Sequence, residues 1–299
     1  MQKILFLGCN DSQVPYLREL QNRGLKIIGT DFNRNPPGRE FCDAFFNLGY
    51  DEYEALIEAG ESETFTSNDL VFTASAQFAH RGAAIFAKHF GITYPEVKDI
   101  ELCLDKTMYY EYFSQNGIPL PETRYVASEN ELREALKIEQ NKRYYLKSDF
   151  SKNPNYVYAF AANQAPWSKI FWGRDRYLRS KYILQKEFLG VSLRINIYGE
   201  RFNVFDFREN QKTNNYDQTL LDAGVISTLK SLMQHLGMSR WLLKFDVILN
   251  GNDYAVLDIG LDPPYRMVQY CRSNSINFTE HYLNQYLLGQ ISFPEKLDG

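Results

Sequence analysis

The sequence predicts an α/β N-terminal part built on a parallel sheet, followed by α+β lobes in which antiparallel strands dominate. Three observations predict it. Short apolar runs alternate with helical patterns from the N-terminus to about residue 98. Strand patterns then cluster in the second half around one long helix. The length, 299 residues, exceeds one small domain and suits two or three lobes. The expected division is 1–98, 99–183 and 184–299.

The elements follow in order. Ile4 to Leu7 is an apolar run of strand length. Val14, Leu17 and Leu20 share one face of a helix that Gly24 stops. Leu25 to Thr30 is a second strand, ending at Asp31, and Leu70 to Ala74 is another. A small-residue helix from Gln77 to Phe90 comes next. Strand–helix–strand alternation of this kind implies parallel pairing with covering helices. Asp105 to Asn116 is an aromatic-rich helix closed by Gly117, and the prolines of Ile118-Pro-Leu-Pro121 force an extended exit. Ser128 with Glu131 forms a capping box for a further helix. Tyr144 to Lys147 is a strand, and Phe150 to Asn155 is a polar loop. Strands follow at Lys181 to Glu187, Ser192 to Tyr198, Arg201 to Phe207, Leu242 to Leu249 and Tyr254 to Ile259, with a helix from Asp217 to Leu236.

Bulk properties exclude some functions. The formal net charge is −4, with acids and bases interspersed, which argues against a basic nucleic-acid surface. No apolar stretch reaches membrane-spanning length, and the N-terminal run is too short for a signal peptide. A soluble, cytoplasmic protein without nucleic-acid or membrane partners is expected. Cys9, Cys42, Cys103 and Cys271 lack the spacing of a zinc site or redox pair, so isolated reduced thiols are expected. The four histidines are scattered and carry no catalytic constellation.

The clearest chemical signal is Lys244-Phe-Asp246 followed by Asp258-Ile-Gly260. Alternation along a strand puts Lys244 and Asp246 on the face opposite Leu243, Phe245 and Val247. A three-residue turn, Gly251-Asn252-Asp253, would set Asp246 across from Asp258. Facing carboxylates repel unless a cation lies between them, and hard oxygen ligands favour Mg²⁺. Two solvated acids on an exposed face is the other reading. Lys147 ends an apolar strand and Lys106 opens a helix; either ammonium can meet a phosphate or simply be solvated. Leu184-Gln185-Lys186-Glu187-Phe188-Leu189-Gly190 is an extended segment with a glycine turn, able to pair an adenine edge or to serve as core.

The order Asp105-Lys106, Leu146-Lys147, Lys186-Glu-Phe-Leu-Gly190, Lys244-Phe-Asp246, Asp258-Ile-Gly260 resembles the ATP-grasp superfamily over nearly the whole chain. Ile4-Leu-Phe-Leu-Gly8, Gly29-Thr-Asp31 and Arg39 to Asp43 resemble its N-terminal pre-ATP-grasp domain, a Rossmann-like parallel sheet, ahead of two α+β lobes that sandwich ATP. The resemblance implies Lys106 and Lys147 on the α- and β-phosphates, and Lys186 to Leu189 as an adenine hinge. It implies Lys244 near the γ-phosphate, and Asp246 and Asp258 on Mg²⁺. Ser192 stands where a ribose-contacting Glu is usual. Arg208 is similar to an arginine that steadies the transferred phosphate or the acyl intermediate. Gly260 replaces the family's asparagine metal ligand; Asp262 could substitute, grip a substrate amino group, or begin the turn into Pro263-Pro264. The loop at Ser151 to Asn155 lacks the family's glycines, and Lys152 could serve there. Ser75, Arg208 and Arg266 are candidates for substrate.

The implied activity is an ATP- and Mg²⁺-dependent ligase that joins a small carboxylate, an amino acid or sugar-linked acid, to an amine through an acyl phosphate. A small-molecule phosphotransferase and a degenerate non-catalytic nucleotide-binding protein are the alternatives. A homodimer is left open.

Overall fold

The computed structural model describes residues 1–138, 142–148, 157–170, 182–206, 223–290 and 292–293. The chain divides into two compact units. The first holds 1–101, 194–244 and 259–299; the second holds 102–193 and 245–258.

In the first unit, β1 (Lys3–Leu7), β2 (Lys26–Thr30), β3 (Ala44–Phe46) and β4 (Leu70–Phe72) form a sheet in the order β3-β2-β1-β4. All its pairs are parallel, with Phe6 opposite Gly29 on one side and Phe72 on the other. Alternation sends successive β1 side chains to opposite faces. Ile4 and Phe6 join Leu17 and Leu20 of α1 (Val14–Asn22), while Leu5 and Leu7 join Leu56 of α2 (Tyr53–Ser62) and Phe86 of α3 (Ala79–Phe90). Both faces are therefore covered, as a parallel sheet requires. The predicted parallel sheet is present, and the predicted helix at 77 begins at Ala79.

After α4 (Val97–Leu104), the second unit begins with α5 (Lys106–Gln115). The Asp105 carboxylate caps α5, accepting from Thr107 and Met108 N–H at 2.8 and 3.2 Å. β5 (Thr123–Val126), β6 (Arg143–Ser148), β7 (Val157–Ala161) and β8 (Tyr182–Lys186) form an antiparallel sheet ordered β5-β8-β6-β7. α6 (Glu129–Lys137) has the expected Ser128 cap, whose Oγ accepts from Glu131 N–H at 3.2 Å. The third sheet, ordered β10-β9-β11-β12, comprises β9 (Val191–Tyr198), β10 (Arg201–Asp206), β11 (Leu242–Asn250) and β12 (Asp253–Gly260). α7 (Ala223–His235) lies between β10 and β11 in sequence.

Some expectations change. β11 ends at Asn250 and β12 starts at Asp253, so the connection is Gly251-Asn252, one residue shorter than anticipated. Gly251 takes φ 61°, the left-handed region that glycine tolerates. β12 does not alternate strictly: Ala255 and Val256 are both buried. α2, β3, β5, β7, α8 (Tyr265–Ser273) and α9 (Phe278–Leu288) were not anticipated. The polar loop at 150–155 and the start of the helix expected at 217 lie outside the described residues. Among the described residues no helix is long and apolar enough to cross a membrane.

Candidate active site

The second unit gathers Lys106, Lys147, Asp246 and Asp258. Lys106 is the first residue of α5, and Tyr109 and Tyr110 follow at helical spacings that share its face. Lys106 is only 5 % exposed, and a buried ammonium needs a counter-charge. Its Nζ lies 3.5 Å from Asp258 Oδ1. Tyr109 donates its hydroxyl to that same oxygen at 2.8 Å. Tyr110 donates to the Leu257 carbonyl at 2.5 Å, and its hydroxyl also lies 3.4 Å from Gln185 Oε1. The two tyrosines thus hold β12 through both the backbone and the carboxylate of consecutive residues.

Lys147 sits on β6, opposite Ile183 of β8. Its Nζ lies 3.5 Å from the Tyr110 hydroxyl. The side chain keeps some contact with water, yet the atoms crowding its ammonium lower its pKa to about 8. Burial is the main cause; Asp258 and Asp246 pull the pKa up, and Lys106 pushes it down. Both carboxylates and the second ammonium are therefore within electrostatic reach of Lys147. Burial also pushes both tyrosines up, with Asp258 adding to the effect, so they stay neutral hydrogen-bond donors.

Lys186 to Leu189 continue directly from Gln185. Gln185 is fully paired: its Nε2 donates to Thr123 Oγ1 at 3.0 Å, and its Oε1 faces Tyr110. The Lys186 and Glu187 amides donate to the Glu122 and Arg143 carbonyls at 3.0 and 2.9 Å. The Phe188 and Leu189 amides donate to no backbone carbonyl among the described residues, and Leu189 is 69 % exposed. This stretch therefore combines two amides without a backbone acceptor among the described residues with an exposed apolar side chain. Gly190 follows where a Cβ would fall 2.3 Å from the Leu249 carbonyl oxygen, so only glycine lets this backbone pass β11. Ser192 is partly buried at the start of β9.

The remaining candidates lie in the first unit. Lys244 Nζ bonds Asp262 Oδ2 at 2.6 Å. Its stem covers Gly260, where a Cβ would sit 2.1 Å from Lys244 Cε. Among the described residues no three His, Cys, Asp or Glu side chains could share a metal, and Asp262 is an ion-pair partner of Lys244. The physical reason is the missing side chain at residue 260, which lets Lys244 lie down and reach Asp262. Ser75 packs against Gly8, and Arg266 is partly buried on α8. Arg208 and Lys152 lie outside the described residues. Sequence reasoning missed Tyr109 and Tyr110; the i, i+3, i+4 spacing from Lys106 was the available signal. A cavity of about 590 Å³ in the first unit, lined by Tyr94, Trp241 and Tyr286, contains none of the candidate residues.

No protein-family model matches the sequence, and no curated protein matches it. Solved structures do match. N5-carboxyaminoimidazole ribonucleotide synthetase from Thermotoga maritima aligns at TM-score 0.72 and 15% identity, covering 99% of this chain and 79% of that one. The biotin carboxylase domain of Hydrogenobacter thermophilus 2-oxoglutarate carboxylase aligns at TM-score 0.73 and 12% identity, covering 99% and 72%. This is the ATP-grasp fold. An L-amino acid ligase from Bacillus licheniformis with the ATP-grasp fold aligns at TM-score 0.69 and 14% identity, covering 97% and 77%. Within the ATP-grasp fold of this chain, the parallel sheet β3-β2-β1-β4 corresponds to the predicted Rossmann-like part, and the two antiparallel sheets to the rest.

Proposed function

We propose that this chain is an ATP-dependent ligase that joins a small carboxylate to an amine through an acyl phosphate. The observation that carries the proposal is the charge cluster of the second unit, two ammonium groups among two carboxylates. Ammonium groups held this way meet phosphate oxygens as fixed point charges. The likenesses support the reading: the Hydrogenobacter domain was solved with MgADP and bicarbonate, and the Bacillus protein is an L-amino acid ligase.

In the proposed reaction a substrate carboxylate oxygen takes the γ-phosphoryl group of ATP and ADP departs. An amine then attacks the acyl carbon, inorganic phosphate leaves, and the amine proton passes to solvent. Lys106 and Lys147 hold the α- and β-phosphates. Lys186, Glu187, Phe188 and Leu189 hold adenine, the Phe188 and Leu189 amides pairing its edge, and Ser192 meets the ribose. Lys244 and Arg208 steady the transferred phosphate, while Ser75 and Arg266 contact the substrate. An amino acid or sugar-linked acid is the carboxylate, and a homodimer is compatible with the dimeric state of the Hydrogenobacter domain.

Asp246 and Asp258 fit Mg²⁺: the ion takes one or two carboxylates with phosphate oxygens and water, and needs no third acid. Bound there, Mg²⁺ would supply positive charge to the phosphate oxygens. Tyr109 and Lys106 orient the Asp258 carboxylate through its Oδ1.

Calorimetric titration with ATP, with and without Mg²⁺, tests the site. Wild-type protein should bind MgATP, Lys106→Met should bind at least tenfold more weakly, and Asp258→Asn should lose the Mg²⁺ dependence. Equal binding by all three proteins would remove the assignment.

A further inference from the structure

Two of the four cysteines, expected to be isolated, meet in the first unit. Cys9 follows Gly8 after β1, and Cys42 precedes β3. Their sulfurs converge on Gly29 of β2. A Cβ at Gly29 would lie 2.3 Å from Cys42 Sγ and 3.1 Å from Cys9 Sγ. The sulfurs are therefore no further apart than the sum of those distances. Glycine at 29 is what makes room for both.

The backbones are already positioned. The Cys9 N–H donates to Asp31 Oδ2 at 2.7 Å, and the Cys9 carbonyl accepts from Gly38 N–H at 2.8 Å. Gly38 belongs to the short turn that ends at Cys42, whose N–H donates to the Arg39 carbonyl at 3.1 Å and whose Sγ lies 3.4 Å from the Gly38 carbonyl oxygen. Access is unequal: Cys9 is buried and Cys42 is partly exposed.

We propose that Cys9 and Cys42 are a dithiol–disulfide site that reacts with small organic disulfides, with Cys42 attacking first and Cys9 resolving. In the first step the Cys42 thiolate attacks one sulfur of the organic disulfide. A mixed disulfide forms on Cys42, and one organic thiolate leaves. In the second step Cys9 gives its proton to solvent and attacks Cys42 Sγ. The Cys9–Cys42 bond forms and the second organic thiolate leaves, so two protein thiols are oxidised as one organic disulfide is reduced.

The reactivity order has a second support. Cys42 is held below the usual thiol range, chiefly by the neighbouring Cys9 thiol, whereas Cys42 and burial push Cys9 up. The bridge would tie the segment after β1 to the turn ahead of β3.

Oxidised glutathione is the probe. Full-length protein is equilibrated with it, quenched in acid, alkylated while unfolded and mapped by mass spectrometry. The expected result is a peptide linked through Cys9 and Cys42, with free thiols falling from four to two and dithiothreitol restoring them. Cys9→Ser should stop at one glutathione adduct on Cys42, and Cys42→Ser should leave Cys9 unreacted. The proposal is overturned if folded wild-type protein keeps both cysteines alkylatable at equilibrium, or if the linkage involves Cys103 or Cys271. The wild-type map decides this even if a variant fails to fold.

Discussion

Raising the pH on wild-type protein and on Lys147→Met tests the electrostatics of the cluster. Lys147 is lowered from 10.5 to about 8, mainly by burial. Near neutral pH its ammonium is still present, at a cost to the fold. The full difference corresponds to an upper bound of about 3 kcal/mol, which remaining water contact cuts to about 1–2 kcal/mol. Between about 8 and 10.5 the folded protein has released a proton that the unfolded chain still holds. The unfolded state then binds more protons, so ligand-free stability rises with pH across that window. Phosphate requires the ammonium form, so ATP affinity should fall in the same window, approaching tenfold per pH unit above about 8. Stability and affinity should move in opposite directions. Lys147→Met should be about 1–2 kcal/mol more stable than wild type near neutral pH and should bind ATP weakly with no dependence on this window. Urea unfolding and ATP titration at matched pH values measure both. Parallel movement of the two, or a Lys147→Met protein less stable than wild type, would refute the reasoning.

Further perturbations follow from single contacts. Asp258→Asn should reduce ATP turnover at least a hundredfold at saturating Mg²⁺, measured as ADP release. Tyr109→Phe removes the 2.8 Å bond to Asp258 and should cost about 1–2 kcal/mol in urea unfolding. Gly260→Ala places a methyl on the Lys244 stem and should break the 2.6 Å pair with Asp262. A double-mutant cycle with Lys244→Ala should then show that most of its cost, about 1 kcal/mol, disappears once Lys244 is truncated. Gly190→Ala drives a Cβ into the Leu249 carbonyl, a backbone atom that cannot swing aside, and should destabilise by about 2–3 kcal/mol in the same assay.

The parallel sheet was legible because its strands are buried on both faces and so appear as unbroken apolar runs, Ile4 to Leu7 above all. Ser128 before Glu131 was legible because capping is local, whereas the Asp105 cap ahead of Lys106 emerged only in the structure. What escaped depends on distant segments meeting. Tyr109 and Tyr110 looked like core aromatics, and they are core; that one hydroxyl grips Asp258 and the other the Leu257 carbonyl follows from the packing of α5 on β12. Cys9 and Cys42 carry no telling spacing, and only the parallel register that sets β1 beside β2 brings both to Gly29. Asp262 was weighed as a metal ligand because alternation was extended past β12. The ion pair with Lys244 across a bare Gly260 required coordinates.

The proposed ligase activity is tested most directly by ADP release with Mg²⁺ across a pool of amino acids and sugar acids, repeated with hydroxylamine present. The account predicts ADP release that depends on a carboxylate substrate and yields a hydroxamate from the trapped acyl phosphate. ADP release with a phosphorylated product and no hydroxamate would instead make the chain a phosphotransferase. No Mg²⁺-dependent ADP release with any member of the pool would contradict the ligase reading outright.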